Sequence, residues 1–192
     1  RVGARLHQVD HPAFESDVEL VVGGAAASLS YIMVPKVESV ADVEHAVVSI
    51  DRAVQGTPRQ SPMPLHVLIE SPAAVHRAFD IAAHPRVESV SFGLMDFVSA
   101  HGGAIPSSAM TVRKDDAGDV QDQFHHPLVV RAKLDIASAC HASGKVPSHC
   151  VVTEFRDTVA LKTAASVAAS QFGFTRMWSI HPDQIRPILE AF

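Results

Sequence analysis

The sequence predicts an α/β protein with a parallel sheet covered on both faces. Two observations carry this. Short apolar runs alternate with longer stretches of helical periodicity six times along the chain, and such alternation makes each helix the crossover between two parallel strands. The runs, Tyr31-Ile32-Met33-Val34 among them, are continuous rather than alternating, as in strands buried on both sides. An open doubly wound sheet and a (β/α)8 barrel both satisfy these observations.

The elements follow in order. Ala4 to Val9 reads as a strand and Phe14 to Ser28 as a helix. Tyr31–Val34 is a strand stopped by Pro35, and Val40, Val43, Val47, Ile50 and Val54 fall at helical spacing. The prolines between Thr57 and Pro64 mark a loop before the strand Leu65–Ile69. Pro72 suits a first helical position, with the helix over Ala73 to Ala83, and Val87–Phe92 is the next strand. Ser99 to Pro127 is long and irregular, as an active-site loop or a flexible one would be. Leu128 to Ser143 is a helix closed by Gly144; His149 to Thr153 a strand; Thr158 to Phe172 a helix; Met177 to Ile180 the last strand, before a short helix to Phe192.

The 192 residues predict one domain, 1–192. The chain opens at Arg1 without Met, so a fragment of a longer protein is expected. A net charge of −5 with no basic stripe argues against a nucleic-acid partner. The longest apolar run, Val18 to Leu29, is interrupted by Glu19 and Gly23-Gly24, too short for a membrane span. Cys140 and Cys150 have neither metal-site nor disulfide spacing, which points to a reduced, cytoplasmic chain with both thiols buried. Neither a G-x-G-x-x-G turn nor a P-loop is present.

In parallel α/β folds ligands bind at the C-terminal ends of the strands. Two of those ends carry Glu70 and Asp96. Adjacent strands lie roughly 4.8 Å apart, and two carboxylates that close repel unless a proton or a cation lies between them. Few protein ligands plus substrate oxygens suit Mg2+. Alternatively, Asp96 caps a helix and Glu70 pairs with an arginine. Gly93 lets the backbone turn sharply, so that the amides of Leu94, Met95 and Asp96 face an anion. Lys36 and Glu38 read as either a second ring around the metal or a salt-bridged strand end. His181 reads as either a substrate contact or, with Pro182 next to it, the residue that orients the last helix, the latter being favoured. His125-His126 and Asp115-Asp116 read as solvated loop, and His149, Cys150 and Glu154 make a weak metal set because strand residues alternate between faces.

Four phrases then occur in order: Ile32-Met33-Val34-Pro35-Lys36-Val37-Glu38-Ser39, Leu68-Ile69-Glu70-Ser71-Pro72, Phe92-Gly93-Leu94-Met95-Asp96-Phe97 and Ile180-His181-Pro182-Asp183-Gln184-Ile185. Together they resemble the citrate lyase β-subunit-like proteins of the HpcH/HpaI aldolase superfamily. The resemblance implies a (β/α)8 TIM barrel in which these six units are the third to eighth, two being absent from the chain. It implies Mg2+ held by Glu70 and Asp96, and Arg5 facing the substrate as a catalytic group, with His7 where the family has Asn. It further implies a carbon–carbon lyase that cleaves or forms 3-hydroxy acids or their acyl-thioesters, of coenzyme A or of a carrier protein, through an enolate. A small oxo or hydroxy acid is then the ligand, and a homo-oligomer, most often a trimer, the assembly. The alternatives are a class II 2-oxo-acid aldolase on free acids and a non-catalytic metabolite-binding paralogue. No residue stands out as general base.

Overall fold

The computed structural model describes residues 2–59, 61–112 and 121–192. Asp115 and Asp116 lie outside them. Six parallel strands form one curled sheet in chain order: β1 (Gly3–Arg5), β2 (Tyr31–Val34), β3 (Leu65–Ile69), β4 (Val87–Phe92), β5 (Val146–His149) and β6 (Arg176–Met177). Helices connect them: α1 (Phe14–Asp17), α2 (Val40–Val54), α3 (Pro72–His76), α4 (Ala78–Ala83), α5 (Leu94–Ser99), α6 (Pro127–Ala142), α7 (Thr158–Phe172) and α8 (Pro182–Ala191). Strand order equal to chain order means every crossover reaches the adjacent strand, as in a barrel wall; a doubly wound sheet reverses direction at a switch point. The principal core lies between sheet and helices, with Leu65, Val67 and Ile69 of β3 packed with Val43, Ile50, Ile81 and Ile136. Among the described residues no helix is long and apolar enough to cross a membrane.

Local chemistry explains most boundaries. The Asp42 carboxylate accepts the Ser39 amide at 2.9 Å and starts α2. Ser71 Oγ accepts the Ala74 amide at 3.0 Å, with Pro72 at a position that needs no N–H, and starts α3. Gly173, at φ 73°, closes α7.

Four expected elements are corrected. The expected helix from Phe14 is α-helical only to Asp17 and continues as a π-turn over Val18–Gly23, against α2. The helix after Pro72 breaks at Arg77 (φ −100°, ψ 11°), whose guanidinium donates to Glu38 O at 3.2 Å. The strand expected at His149–Thr153 lies at Val146–His149 and includes Pro147. The Pro147 carbonyl accepts the Thr175 amide, so this residue turns its polar edge toward two-residue β6, where a missing N–H loses little. The stretch Ser99 to Pro127, expected to be irregular, holds a 3-10 turn at Ser107–Met110, and α5 lies before it.

His125 and Pro127 are exposed, but residues just before them are not. Asp122 and Gln123 are buried, and Lys133 of α6 is fully so. The Lys133 ammonium donates to Gln123 Oε1 at 2.8 Å and lies 3.9 Å from the centre of the Phe124 ring. Burial pulls its pKa down to about 8, against the opposing charges of Cys150 and Asp122. Lys133→Met removes that donor and leaves buried Gln123 Oε1 with only the weak Cys150 thiol. The variant is therefore expected to lose about 1–3 kcal/mol against the wild type in urea denaturation at pH 7. Between about 8 and 10.5 the unfolded lysine holds a proton that the folded one has released. The wild type should therefore gain on the variant as pH rises through that window, by on the order of 3 kcal/mol. Parallel stability curves for the two proteins would refute this.

Candidate functional site

Residues two apart on a strand share a face. Leu65, Val67 and Ile69 take the helix side, so His66, Leu68 and Glu70 face the inner side of the curl. The register sets Leu68 beside Ser91 and Ile69 beside Phe92, and the Gly93 amide donates to Ile69 O at 2.8 Å. Glu70 thus comes to lie against Gly93. A Cβ on that glycine would stand 2.5 Å from Glu70 Oε1 and 2.8 Å from its Cδ. The glycine is required here for the close approach, since its φ of −94° suits any residue.

Glu70 is 5% exposed. Its Oε2 accepts the Lys36 amide at 2.8 Å. Burial pushes its carboxyl pKa up and the charge of Asp96 adds to the rise, while the Lys36 amide and the charges of Arg5 and Lys36 pull it back. Asp96 sits in the first turn of α5 and makes no cap bond, which removes the helix-cap alternative. Its Oδ1 lies 3.2 Å from Lys36 Nζ, and both side chains are about half exposed, 49% and 48%. Lys36 therefore bridges the two carboxylates, by backbone to one and by side chain to the other. Glu38 turns away, accepting the Ser71 hydroxyl at 2.7 Å.

Arg5, Glu70, Gly93, Leu94, Met95 and Asp96 line one cavity of about 180 Å3, whose other walls include Leu68, Ser91, Cys150, Val151 and Trp178. The sequence-predicted site residues are thus brought together. A second depression of about 440 Å3, lined by Arg5, His7, His11 and Lys36 among others, adjoins it through Arg5. His7 does not reach toward the carboxylates. Its amide and ring both meet Asp17 Oδ2, at 2.8 and 2.6 Å, and the ring stacks on His11.

An all-oxygen pair with an open side fits a hard divalent cation, and the Gly93 cradle leaves room for the buried carboxylate to face it. Among the described residues no group of three or more His, Cys, Asp or Glu gathers as a ligand set. That also disposes of the set His149, Cys150 and Glu154: His149 is buried against Phe124, whereas Glu154 is exposed beside Thr153. His181 caps α8, its Nδ1 accepting the Asp183 amide at 3.3 Å. Sequence reasoning missed Trp178, Ser91 and His66 as parts of this cavity and its support. The signal was there in Ser89 and Ser91, small polar residues two apart, and in a histidine within an apolar strand.

Gly93→Ala should disturb the site more than the fold. Its methyl must displace Glu70, for a loss of about 1–3 kcal/mol. Most of that loss should vanish in a Glu70→Ala background, because there the methyl has space. Equal penalties in both backgrounds, measured by urea denaturation, would show that Glu70 is not what the methyl meets.

Comparison with known proteins gives a consistent result. The sequence profile of the HpcH/HpaI aldolase/citrate lyase family matches residues 1–182. An L-malyl-CoA/beta-methylmalyl-CoA lyase of Cereibacter sphaeroides is 30% identical over 200 residues, covering 100% of this chain and 60% of that protein. The crystal structure of a citrate lyase from Burkholderia xenovorans superposes with a TM-score of 0.91 at 48% identity, over 100% of this chain and 57% of the other. The CitE protein of Mycobacterium tuberculosis, solved with magnesium, acetoacetate and coenzyme A, shares the fold at a TM-score of 0.75 and 23% identity, over 100% of this chain and 60% of the other. The chain spans about three fifths of the length of the malyl-CoA lyase it matches. Two of the four ordered phrases line one cavity, and the family profile spans nearly the whole chain, so the chain belongs to the HpcH/HpaI aldolase/citrate lyase family.

Proposed function

We propose that this chain is the metal- and acid-binding part of a Mg2+-dependent carbon–carbon lyase that cleaves or forms 3-hydroxy acids or their CoA thioesters, in a protein that completes a (β/α)8 barrel. The observation that carries the proposal is the pairing of Glu70, nearly buried with its carboxylate against Gly93, and Asp96, on one cavity with Arg5. Glu70 and Asp96 would hold the metal. Bound there, Mg2+ would supply a Lewis acid for an oxo group and its neighbouring carboxylate.

The remaining work belongs to the protein's own groups. The amides of Leu94, Met95 and Asp96 open α5, where the first N–H groups have no partner within the helix, and would orient the substrate carboxylate. Arg5 would stabilise the enolate oxygen as charge develops on it. The apolar walls Leu68, Leu94 and Val151 keep the reacting carbon from bulk water. The malyl-CoA lyase and the CoA complex among the relatives favour a thioester over a free acid as donor.

Glu70→Ala and Asp96→Ala are each expected to weaken Mg2+ binding by about 100-fold or more, beyond the roughly 10- to 100-fold that loss of a mere supporting group costs, with an unchanged circular dichroism spectrum. Isothermal titration with MgCl2 measures the first effect. Assays with malyl-CoA against free malate separate thioester from free-acid chemistry. Wild-type-like turnover in either variant would remove the mechanism, and tight Mg2+-dependent acid binding without turnover of any donor would make this a binding paralogue.

A further inference from the structure

Trp178 is the single tryptophan of the chain and follows β6 directly. Its amide donates to His149 O at 3.2 Å, and its indole N–H reaches across β5 to donate to Ser91 Oγ of β4 at 2.6 Å. The crossing is open because Ser148, the β5 residue in register with Ser91, is small. Ser91 Oγ lies 2.7 Å from His66 Nε2, and His66 Nδ1 lies 2.6 Å from Ser89 Oγ. The imidazole also meets the indole edge-on at 5.9 Å. Burial and the charge of Arg176 bring the His66 pKa down to about 4, so the ring is neutral at physiological pH. One assignment then satisfies every group: indole N–H to Ser91, Ser91 O–H to Nε2, Nδ1–H to Ser89.

We propose that Trp178, pinned by Ser91 and through it by His66, is the specificity-determining residue that limits how long an acid the cavity accepts. This rests on the reading of the cavity as a metal and 2-oxo-acid site. An acid whose carboxylate and oxo oxygens are held at Glu70 and Asp96 must run its carbon chain along the other lining groups, Leu68, Ser91, Cys150, Val151 and Trp178. The indole is the largest of these and is tethered at its polar edge to a buried strand residue. A free aromatic ring can rotate away from an added methylene; a tethered one cannot without breaking its hydrogen bond. Discrimination per methylene in such a pocket is roughly 10- to 200-fold. Ser91 is a positioning residue that acts through the indole.

The test is calorimetric titration of the protein in MgCl2 with pyruvate, 2-oxobutyrate and 2-oxopentanoate, a series that keeps the head group and lengthens the tail. Wild-type affinity is expected to fall at least about 10-fold along the series, and Trp178→Ala to level it. Trp178→Phe, which keeps an aromatic filler should the alanine variant fail to fold, is expected to shift the preference toward the longer acids. Ser91→Ala leaves the indole without its acceptor. It should relax the length preference partly and raise acrylamide quenching of the lone tryptophan, which a merely structural serine would not do. An identical length profile in all proteins overturns the role of Trp178 and leaves the metal site standing. Absence of Mg2+-dependent binding of any acid by the wild type overturns both.

Discussion

Glu70 ends a strand whose five residues are all buried, and its own carboxylate is nearly so. A carboxylate taken out of water costs several kcal/mol unless a proton, a donor or a positive charge replaces the lost hydration. The groups around it answer that need in turn. Lys36 supplies an amide and Arg5 a charge, and Gly93 withholds a side chain so that the carboxylate has somewhere to lie. Asp96 works against it, a second negative charge on the same cavity. This imbalance is why the pair suits a dication better than it suits itself.

How much of this was legible in the sequence depended on what held each element. Val40–Val54 was readable from its apolar period, and the structure adds the Asp42 bond that starts it. Residues 14–28 had a good apolar run but no internal signal for the wider π-turn, which arises from packing against α2. The strand expected at His149–Thr153 lies three residues earlier and takes in Pro147, whose lost N–H the sheet turns toward the shortest strand. The break at Arg77 depends on a contact with Glu38, 39 positions away, which no local pattern records.

The site divided in the same way. Glu70, Asp96, Gly93 and Arg5 were accessible because strand ends can be counted and the ordered phrases are specific. Trp178 was not, since its place in the cavity follows from the register of β4, β5 and β6 together. The inner face has its own logic: serines at positions 89, 91 and 148 leave a hollow that one histidine and one indole fill from either side. Small residues on some strands and large ones on others are how a tapering interior is filled.

Lys36 holds a left-handed backbone, φ 52°, that a side chain rarely adopts and that costs about 1 kcal/mol or more. Glycine would relieve that strain and keep the amide for Glu70, but it would surrender the ammonium beside Asp96. Position 36 therefore serves two masters through separable parts, main chain for one acid and side chain for the other. The charge facing Asp96 can be altered by mutation without disturbing how Glu70 is held, so the two acids on this cavity can be tuned one at a time.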